Sequence, residues 1–362
     1  MADRSHLRKE GDATQRFRRA DANNDIALIR AFCRAMRPLV GESSRAVVAV
    51  SGGSDSIALL HLLVQSRMFA VDGREPALLV AHFDHGLRDA SAQEAIFVQQ
   101  SAAKLGLKTR AERWLQPETT GNLPAQARLA RYEFLTRTAA EFGARSLITG
   151  HHQDDQVETF MERLIRGSGV TGLCAMAPSR LLIADSAFEI NLIRPLLNFS
   201  RAQLQDWLQN QEIPWQEDPS NQNTDYRRAN LRHLVLPRLA ELEPKSAQRI
   251  CATTQRLAQV EQALEWCLKQ QWPHLQPEQQ DGQLSISQSA LVLLPDELLV
   301  RVLRRGHQTV TQSPHPPSQN AATAFIRLVR SARRRGEIRI RGAIIRREVL
   351  RLVFCESTEA TH

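Results

Sequence analysis

The stretch AVVAVSGGSDSIALLHLL, Ala46 to Leu63, limits this chain's fold more than any other. Ala46–Val50 is a short, wholly apolar run, as a strand buried on both faces requires. Ile57, Leu60, Leu63 and Val64 then recur at helical spacing. A tight loop must join the two. Gly52 and Gly53 permit positive φ and close backbone approach there. Ser51, Ser54 and Ser56 bring hydroxyls to a helix N-terminus, whose unpaired N–H groups and dipole attract anions. The expected product is a phosphate cradle; a plain Gly/Ser turn is the alternative. No Gly-Lys-Ser/Thr follows, so the loop is not of the Walker type. Nor does it have the spacing of a dinucleotide fingerprint.

The same alternation continues to about residue 165. Strands are expected at 46–50, 77–84, 108–114 and 146–149, and helices near 25–39, 55–66, 91–105, 123–142 and 153–166. This pattern predicts an α/β fold, a doubly wound parallel sheet with helices on both faces. Ligands of such sheets bind at the carboxyl ends of the strands, near the topological switch point. Residues 1–24 are polar and read as a mobile arm, and 25–222 as the nucleotide-binding domain. Within it, NLIRPLL reads as a strand or extended connection, Ser200–Gln211 as a capped helix, and 213–221 as a turn-rich loop. Residues 223–272 read as a helical segment broken by Pro237 and Pro244. Residues 273–362 form a small, basic α+β module, whose prolines and polar residues over 273–320 mark the last boundary. Its stretch 325–354 begins helical and then alternates Ile338-Arg339-Ile340-Arg341, a small sheet with arginines on one face.

Bulk composition narrows the class. The 362 residues carry a net charge of +8, mostly through arginine, which suits a polyanionic partner. No apolar run is long enough to span a bilayer, and no secretory h-region follows the N-terminus. The five cysteines are scattered without CxxC pairs, which argues against a zinc ribbon, an iron–sulfur cluster and a disulfide framework. A cytoplasmic location is expected.

Three further constellations sit where chemistry is expected. AHFDHGLR brings Asp84, His85 and Arg88 to the end of the second strand, on the rim of the cradle. After the fourth strand, His151, Asp155, Glu158 and Glu162 fall at i, i+4, i+7 and i+11, one stripe of a helix. Val157, Phe160, Met161, Leu164 and Ile165 form a separate apolar stripe facing the core. Carboxylates on such a rim can hold Mg²⁺ or an ammonium group; a solvated acidic face is the alternative. ARLARYEFL places Arg128 and Arg131 on adjacent turns, as anion clamps or as surface residues of a helix that buries Leu129, Tyr132 and Leu135.

The ordered set SGGSDS, AHFDHGLRDASAQEA, ARLARY, TGHHQDDQVET, RLIRGSGVTGL, RPLLNFSRAQL and WQEDPSN resembles the tRNA(Ile)-lysidine synthases over about residues 25–240. The resemblance implies ATP-dependent adenylation of the wobble cytidine of a CAU-anticodon tRNA(Ile), then attack by free L-lysine. It implies Asp55, His151 and Asp155 as catalytic, Ser51, Gly52, Gly53, Ser54, Asp55, Ser56, His82 and Asp84 at ATP, and Mg²⁺ on Asp55 and Asp155. Arg131, Asp155 and Glu158 would hold lysine. Arg227, Arg228, Arg232, Arg333, Arg334 and Arg335 would hold tRNA. Asp154, adjacent to Asp155, leaves the functional carboxylate open between the two. Asn230 stands where many members carry a further arginine. A homodimer is left open. A tRNA thiolase shares the ATP loop but needs reactive cysteines, and a non-catalytic RNA-binding protein would not need the carboxylates.

Overall fold

A computed structural model describes residues 25–40, 45–69, 77–86, 91–115, 123–185, 188–217, 227–313 and 315–357. The expected N-terminal arm, Arg88, the turn at 218–221 and the side chain of Arg227 lie outside the described residues. The chain divides into two compact units between Gln255 and Arg256.

The first unit is the expected doubly wound sheet. A helix over 25–36 (α1) precedes β1 (Ala46–Ala49), α2 (Ser54–Ser66), β2 (Leu78–Asp84), α3 (Ser91–Lys104), β3 (Lys108–Arg113), α4 (Leu123–Phe142), β4 (Ser146–Thr149) and α5 (Gln153–Ile165). A short α6 (Val170–Leu173), β5 (Ser179–Asp185), β6 (Phe188–Ile193) and α7 (Arg201–Asn210) follow. The strand order is β3-β2-β1-β4-β6-β5, parallel throughout except for the antiparallel β5–β6 pair. Alternate residues of β1 serve opposite faces, as the pleat dictates. Ala46, Val48 and Val50 pack under α1, α2, α3 and α7, whereas Val47 and Ala49 pack with Phe134 and Leu135 of α4. The chain winds from β1 outward through β2 to β3, then returns to β4 on β1's other side. The switch point thus falls between β1 and β4, and the Ser51–Ser56 loop leaves β1 at that crevice.

The hairpin β5–β6 departs from expectation, because only its second strand is legible. β5 is the sheet edge and Leu181 is largely exposed, so it lacks the apolar run of the inner strands. The apolar stripe of α5 is also shorter than predicted. Val157 and Phe160 are buried, but Leu164 and Ile165 are exposed. Leu129 of α4 is likewise exposed, while Leu135 is buried.

Beyond the sheet come α8 (Arg227–Asn230), a π-helical turn (Leu231–Val235), α9 (Leu236–Leu242) and α10 (Ser246–Gln271). Pro237 sits in the first turn of α9 and Pro244 separates α9 from α10, as expected of residues that cannot continue a helix. The π-turn has no sequence signal of its own.

In the second unit, residues 273–320 are more ordered than their prolines suggest. They hold the hairpin β7 (Glu278–Gln280) and β8 (Gln283–Ser287), then α11 (Gln288–Val292) and α12 (Asp296–Thr311). With α13 (Gln319–Arg330), β9 (Gly336–Ile340), β10 (Ala343–Arg347) and β11 (Arg351–Glu356) they build an antiparallel sheet, β7-β8-β11-β10-β9, covered by helices. Several of its arginines are committed to structure, among them Arg339 and Arg346 on Glu337 and Arg351 on Glu278. Arg330 and Arg347 bond backbone carbonyls around the ends of α11 and α13, and Arg301 is buried against Glu261, Glu265 and Glu297. Arg333, Arg334 and Arg335 are exposed, with no ion pair among the described residues. Among the described residues no helix is long and apolar enough to cross a membrane.

Candidate active site

The loop after β1 is built around one hydroxyl. Ser56 Oγ accepts from the backbone N–H of Ser51 and of Gly52, both at 3.2 Å, and donates to Gly53 O at 2.9 Å. Gly52 has a φ of 100°, which L side chains rarely adopt, so glycine is required there. Gln216 N–H donates to Gly52 O at 3.0 Å and ties the loop to the segment after α7. Gly150, at the end of β4, must also be glycine: a Cβ there would lie 3.1 Å from Asp55 O and 3.3 Å from Ser56 Cα. The glycine therefore lets the ends of β1 and β4 close on each other. At the end of β2, His82 is buried and donates from Nδ1 to Val50 O at 2.9 Å. Asp84, also buried, accepts from Gly86 N–H at 2.7 Å and lies 3.6 Å from Arg113 Nε.

Across the crevice, α5 opens on a capping box. His152 is the N-cap: its Nδ1 accepts from Asp154 N–H at 3.2 Å, and Asp155 Oδ2 accepts from His152 N–H at 3.1 Å. With Nδ1 accepting, the ring proton belongs on Nε2. Nε2 lies 3.4 Å from Asp55 Oδ2 and 3.3 Å from Asp155 Oδ2, so one imidazole joins the loop's carboxylate to the helix's. Arg201, the first residue of α7, donates from Nη2 to the same Asp55 oxygen at 2.9 Å. Burial opposes ionisation of Asp55, but the His152 hydrogen bond and charge, with Arg201, outweigh it and hold the carboxyl at about 2. Burial also opposes the charge on His152, yet Asp55 and Asp155 raise its pKa above the usual imidazole value. Asp155, raised by burial but lowered more strongly by His152 and Arg228, ends below the usual carboxylate range.

The residues expected from the sequence separate into contacts and neighbours. His151 precedes α5, so it is not on the helical stripe with Asp155. Its Nδ1 lies 2.9 Å from Thr149 Oγ1, and the imidazole that meets Asp55 is that of His152. Burial first, then the charges of Arg194, Arg131 and Arg128, push His151 down to about 4 against the pull of Asp155. Arg131 is half-buried and makes no ion pair among the described residues; burial and neighbouring Arg128 lower its pKa. Glu162 pairs with exposed Arg166 at 2.8 Å, an ordinary surface contact.

Glu158 shows the largest difference from expectation. It is fully buried, and both its oxygens are taken. Arg228 Nε donates to Oε2 at 2.6 Å, Arg232 Nε to Oε1 at 2.6 Å, and Arg232 Nη2 to Oε2 at 3.0 Å. Arg228 also donates to Asp155 Oδ1 at 3.0 Å. Two arginines expected at tRNA thus cover the carboxylate expected at lysine.

His152 and Arg201 were not singled out by the sequence reading. The His152-x-x-Asp155 capping box is a signal that could have found the first. Nothing local marks Arg201, which reaches Asp55 from 146 residues away. Asp55 and Asp155, ionised and meeting at one imidazole, suit an ion such as Mg²⁺ that takes one or two carboxylates and fills its shell with phosphate oxygens and water. Among the described residues no three His, Cys, Asp or Glu side chains form a metal-holding group.

Residues 26–239 match the PP-loop domain family. The chain is 36% identical to the tRNA(Ile)-lysidine synthase of Ruegeria pomeroyi over 86% of its own length and 71% of that protein. It is 40% identical to the tRNA(Ile)-lysidine synthase of Bradyrhizobium diazoefficiens over 72% of its own length and 71% of that protein. Among solved structures it is similar to a U34-tRNA thiolase from Methanococcus maripaludis with its [4Fe-4S] cluster, at a TM-score of 0.52 and 16% identity. That match covers 64% of this chain and 79% of the thiolase, and shows a shared fold. The glycine-bearing loop after β1, the acidic helix start facing it, and these relatives converge on one conclusion: the chain belongs to the tRNA(Ile)-lysidine synthases of the PP-loop family.

Proposed function

We propose that this chain joins free L-lysine to C2 of the wobble cytidine of a CAU-anticodon tRNA(Ile), using ATP and releasing diphosphate and AMP, in the cytoplasm. The observation that carries this reading is the junction at His152, where the carboxylate of the nucleotide loop and the carboxylate of α5 share one ring nitrogen. Phosphate chemistry and amine chemistry need such a common centre. Oxygen O2 of cytosine is a poor leaving group until it is adenylated. O2 attacks the α-phosphorus of ATP and the bond to diphosphate breaks. The lysine ε-amine then attacks C2, and AMP leaves with O2.

The chain's own groups fit each step. The loop Ser51–Ser56 would seat the triphosphate at the N-terminus of α2, where Gly53, Ser54 and Asp55 carry the N–H groups not spent inside the loop, with His82 and Asp84 completing the ATP site at the end of β2. Asp55 and Asp155 would hold Mg²⁺, which screens phosphate charge when bound. Lysine needs a carboxylate for its ammonium, an arginine for its own carboxylate, and a base. Asp155 and Arg131 supply the first two. His151, held neutral by burial and neighbouring arginines, would take the proton that the nitrogen sheds once it has bonded to C2, with Asp155 favouring the charged ring. Glu158 becomes available to the substrate once Arg228 and Arg232 turn to tRNA phosphate. In this reading 25–222 is the catalytic domain, 223–272 a helical link carrying Arg227, Arg228 and Arg232, and 273–362 a basic module that grips tRNA through Arg333, Arg334 and Arg335.

AMP release is the test. It should require a CAU-anticodon transcript, fall sharply when another anticodon replaces CAU, and vanish in Asp55→Ala. Release by Asp55→Ala at the wild-type rate would overturn the assignment of the loop.

A further inference from the structure

The nucleotide loop has no cation of its own. From Ala46 to Ser66 the chain carries no lysine or arginine. Phosphate loops of the Walker type solve the same problem with a lysine inside the motif. N–H dipoles and one divalent ion still leave part of a triphosphate's negative charge uncompensated, which a side-chain cation from elsewhere in the fold would offset.

Arg201 is brought to the loop by a rigid support. It is the first residue of α7, whose capping box pairs Ser200 with Gln203. Its backbone N–H donates to Asp154 Oδ2 at 3.4 Å, and one turn later Gln205 Nε2 donates to Ser54 Oγ at 3.4 Å. Both ends of this turn are therefore fastened to the crevice. The guanidinium keeps unused capacity: Nη2 bonds Asp55, while Nε is buried without a hydrogen-bond partner. A buried, unpaired guanidinium N–H is costly to leave idle. It leaves that donor free for an acceptor at the crevice. A fork of N–H donors matches phosphate oxygens better than it matches one carboxylate oxygen shared with an imidazole.

We propose that Arg201 is the phosphate-binding cation of this loop. In the empty site it neutralises Asp55. When ATP arrives, it exchanges that carboxylate for oxygens of the β- and γ-phosphates, and it stays with the diphosphate that leaves. Asp55 is the resting partner that the phosphates displace. The inference rests on the nucleotide reading above and adds to it the residue that compensates the leaving group's charge.

Calorimetric titration of the full chain with inorganic diphosphate in metal-free buffer tests this, with AMP as the reference ligand. Arg201→Met should bind diphosphate about tenfold more weakly or worse, the loss of a charge-assisted contact, with AMP changed less than about twofold. Arg201→Lys should fall between Met and wild type. Asp55→Asn should bind diphosphate more tightly than wild type, because the competing carboxylate is gone, and the gain should disappear in Asp55→Asn combined with Arg201→Met. The gain by itself reports the loss of a neighbouring negative charge; its disappearance in the double variant is what assigns it to Arg201. If Arg201→Met does not fold, Arg201→Lys, alone and combined with Asp55→Asn, decides the matter. Wild-type diphosphate affinity in Arg201→Met, or no tightening in Asp55→Asn, overturns the proposal while leaving the nucleotide site intact. A wild-type chain that binds neither diphosphate nor ATP overturns both.

Discussion

His151 and His152 are adjacent, and their protonation is shifted in opposite directions. Burial and three arginines push His151 down to about 4, while Asp55 and Asp155 raise His152. An unfolded histidine takes up its proton near 6.5. Between 6.5 and about 4 the unfolded chain therefore binds a proton at His151 that the folded chain does not. Stability rises with pH across that window and is lost as pH falls through it. Asp55 acts lower: its contribution is present above 3.8 and is lost as pH falls towards about 2. His152 has the reverse sign, with a contribution complete below 6.5 and lost as pH rises through its folded value. Urea unfolding of His151→Asn between pH 4.5 and 6.5 should consequently show a flatter pH dependence than wild type; an unchanged slope contradicts the assignment. The sequence showed two histidines and could not separate them. Helical counting placed His151 on the stripe, because where α5 begins is decided by which side chain caps it. That choice depends on Asp154 and Asp155 together with Asp55, which is far away in sequence.

At the scale of elements, the start of α5 and the π-turn at Leu231–Val235 act as a pair. Arg228 and Arg232 are four residues apart and so share a helix face, which closes on the fully buried Glu158. A buried carboxylate needs such partners. Glu158→Gln removes the charge that holds the turn and should cost about 1–3 kcal/mol, the usual price of an unsatisfied buried group, since water can reach the freed arginines. Amide hydrogen exchange over 227–235 should quicken and KM for lysine should rise, while tRNA-dependent AMP release continues. Unchanged exchange would mean that Glu158 does not hold the turn. The inner strands were legible because β1, β2 and β4 are apolar on both faces and end in glycine or polar residues. The edge strand β5 was not, since an edge tolerates exposed residues such as Leu181. The helices and hairpin within 273–320 were obscured by prolines that fall in turns and at helix starts. The π-turn and its arginine clamp depend on contacts about 70 residues apart, which no local pattern encodes.

At the scale of the whole molecule, the candidate site belongs to the first unit, and the exposed run Arg333, Arg334 and Arg335 to the second. Arg333, Arg334 and Arg335 follow α13 without ion pairs among the described residues, whereas Arg301, Arg330 and Arg347 are committed to structure. Neutralising Arg333, Arg334 and Arg335 together should raise KM for tRNA and leave KM for ATP unchanged. The slope of log affinity against log salt should flatten by about 2 to 3, one lost phosphate contact per arginine. An unchanged slope would make these arginines bystanders. The thiolase of similar fold poses the remaining alternative, and the cysteine beside the start of α5 does not suit sulfur transfer. Cys251, which approaches the start of α5 at Gln153 O, is buried and its thiol is pushed up to about 12, too weakly acidic to act as a nucleophile. Lysine ligation is read from the mass of one nucleoside. The chain is incubated with ATP, lysine and an unmodified CAU-anticodon transcript, and the wobble cytidine is recovered by digestion. It should gain one lysine less one water, and only when both ATP and lysine are present. A cytidine of unchanged mass, or one that has exchanged oxygen for sulfur when a sulfur donor is supplied, would contradict the account.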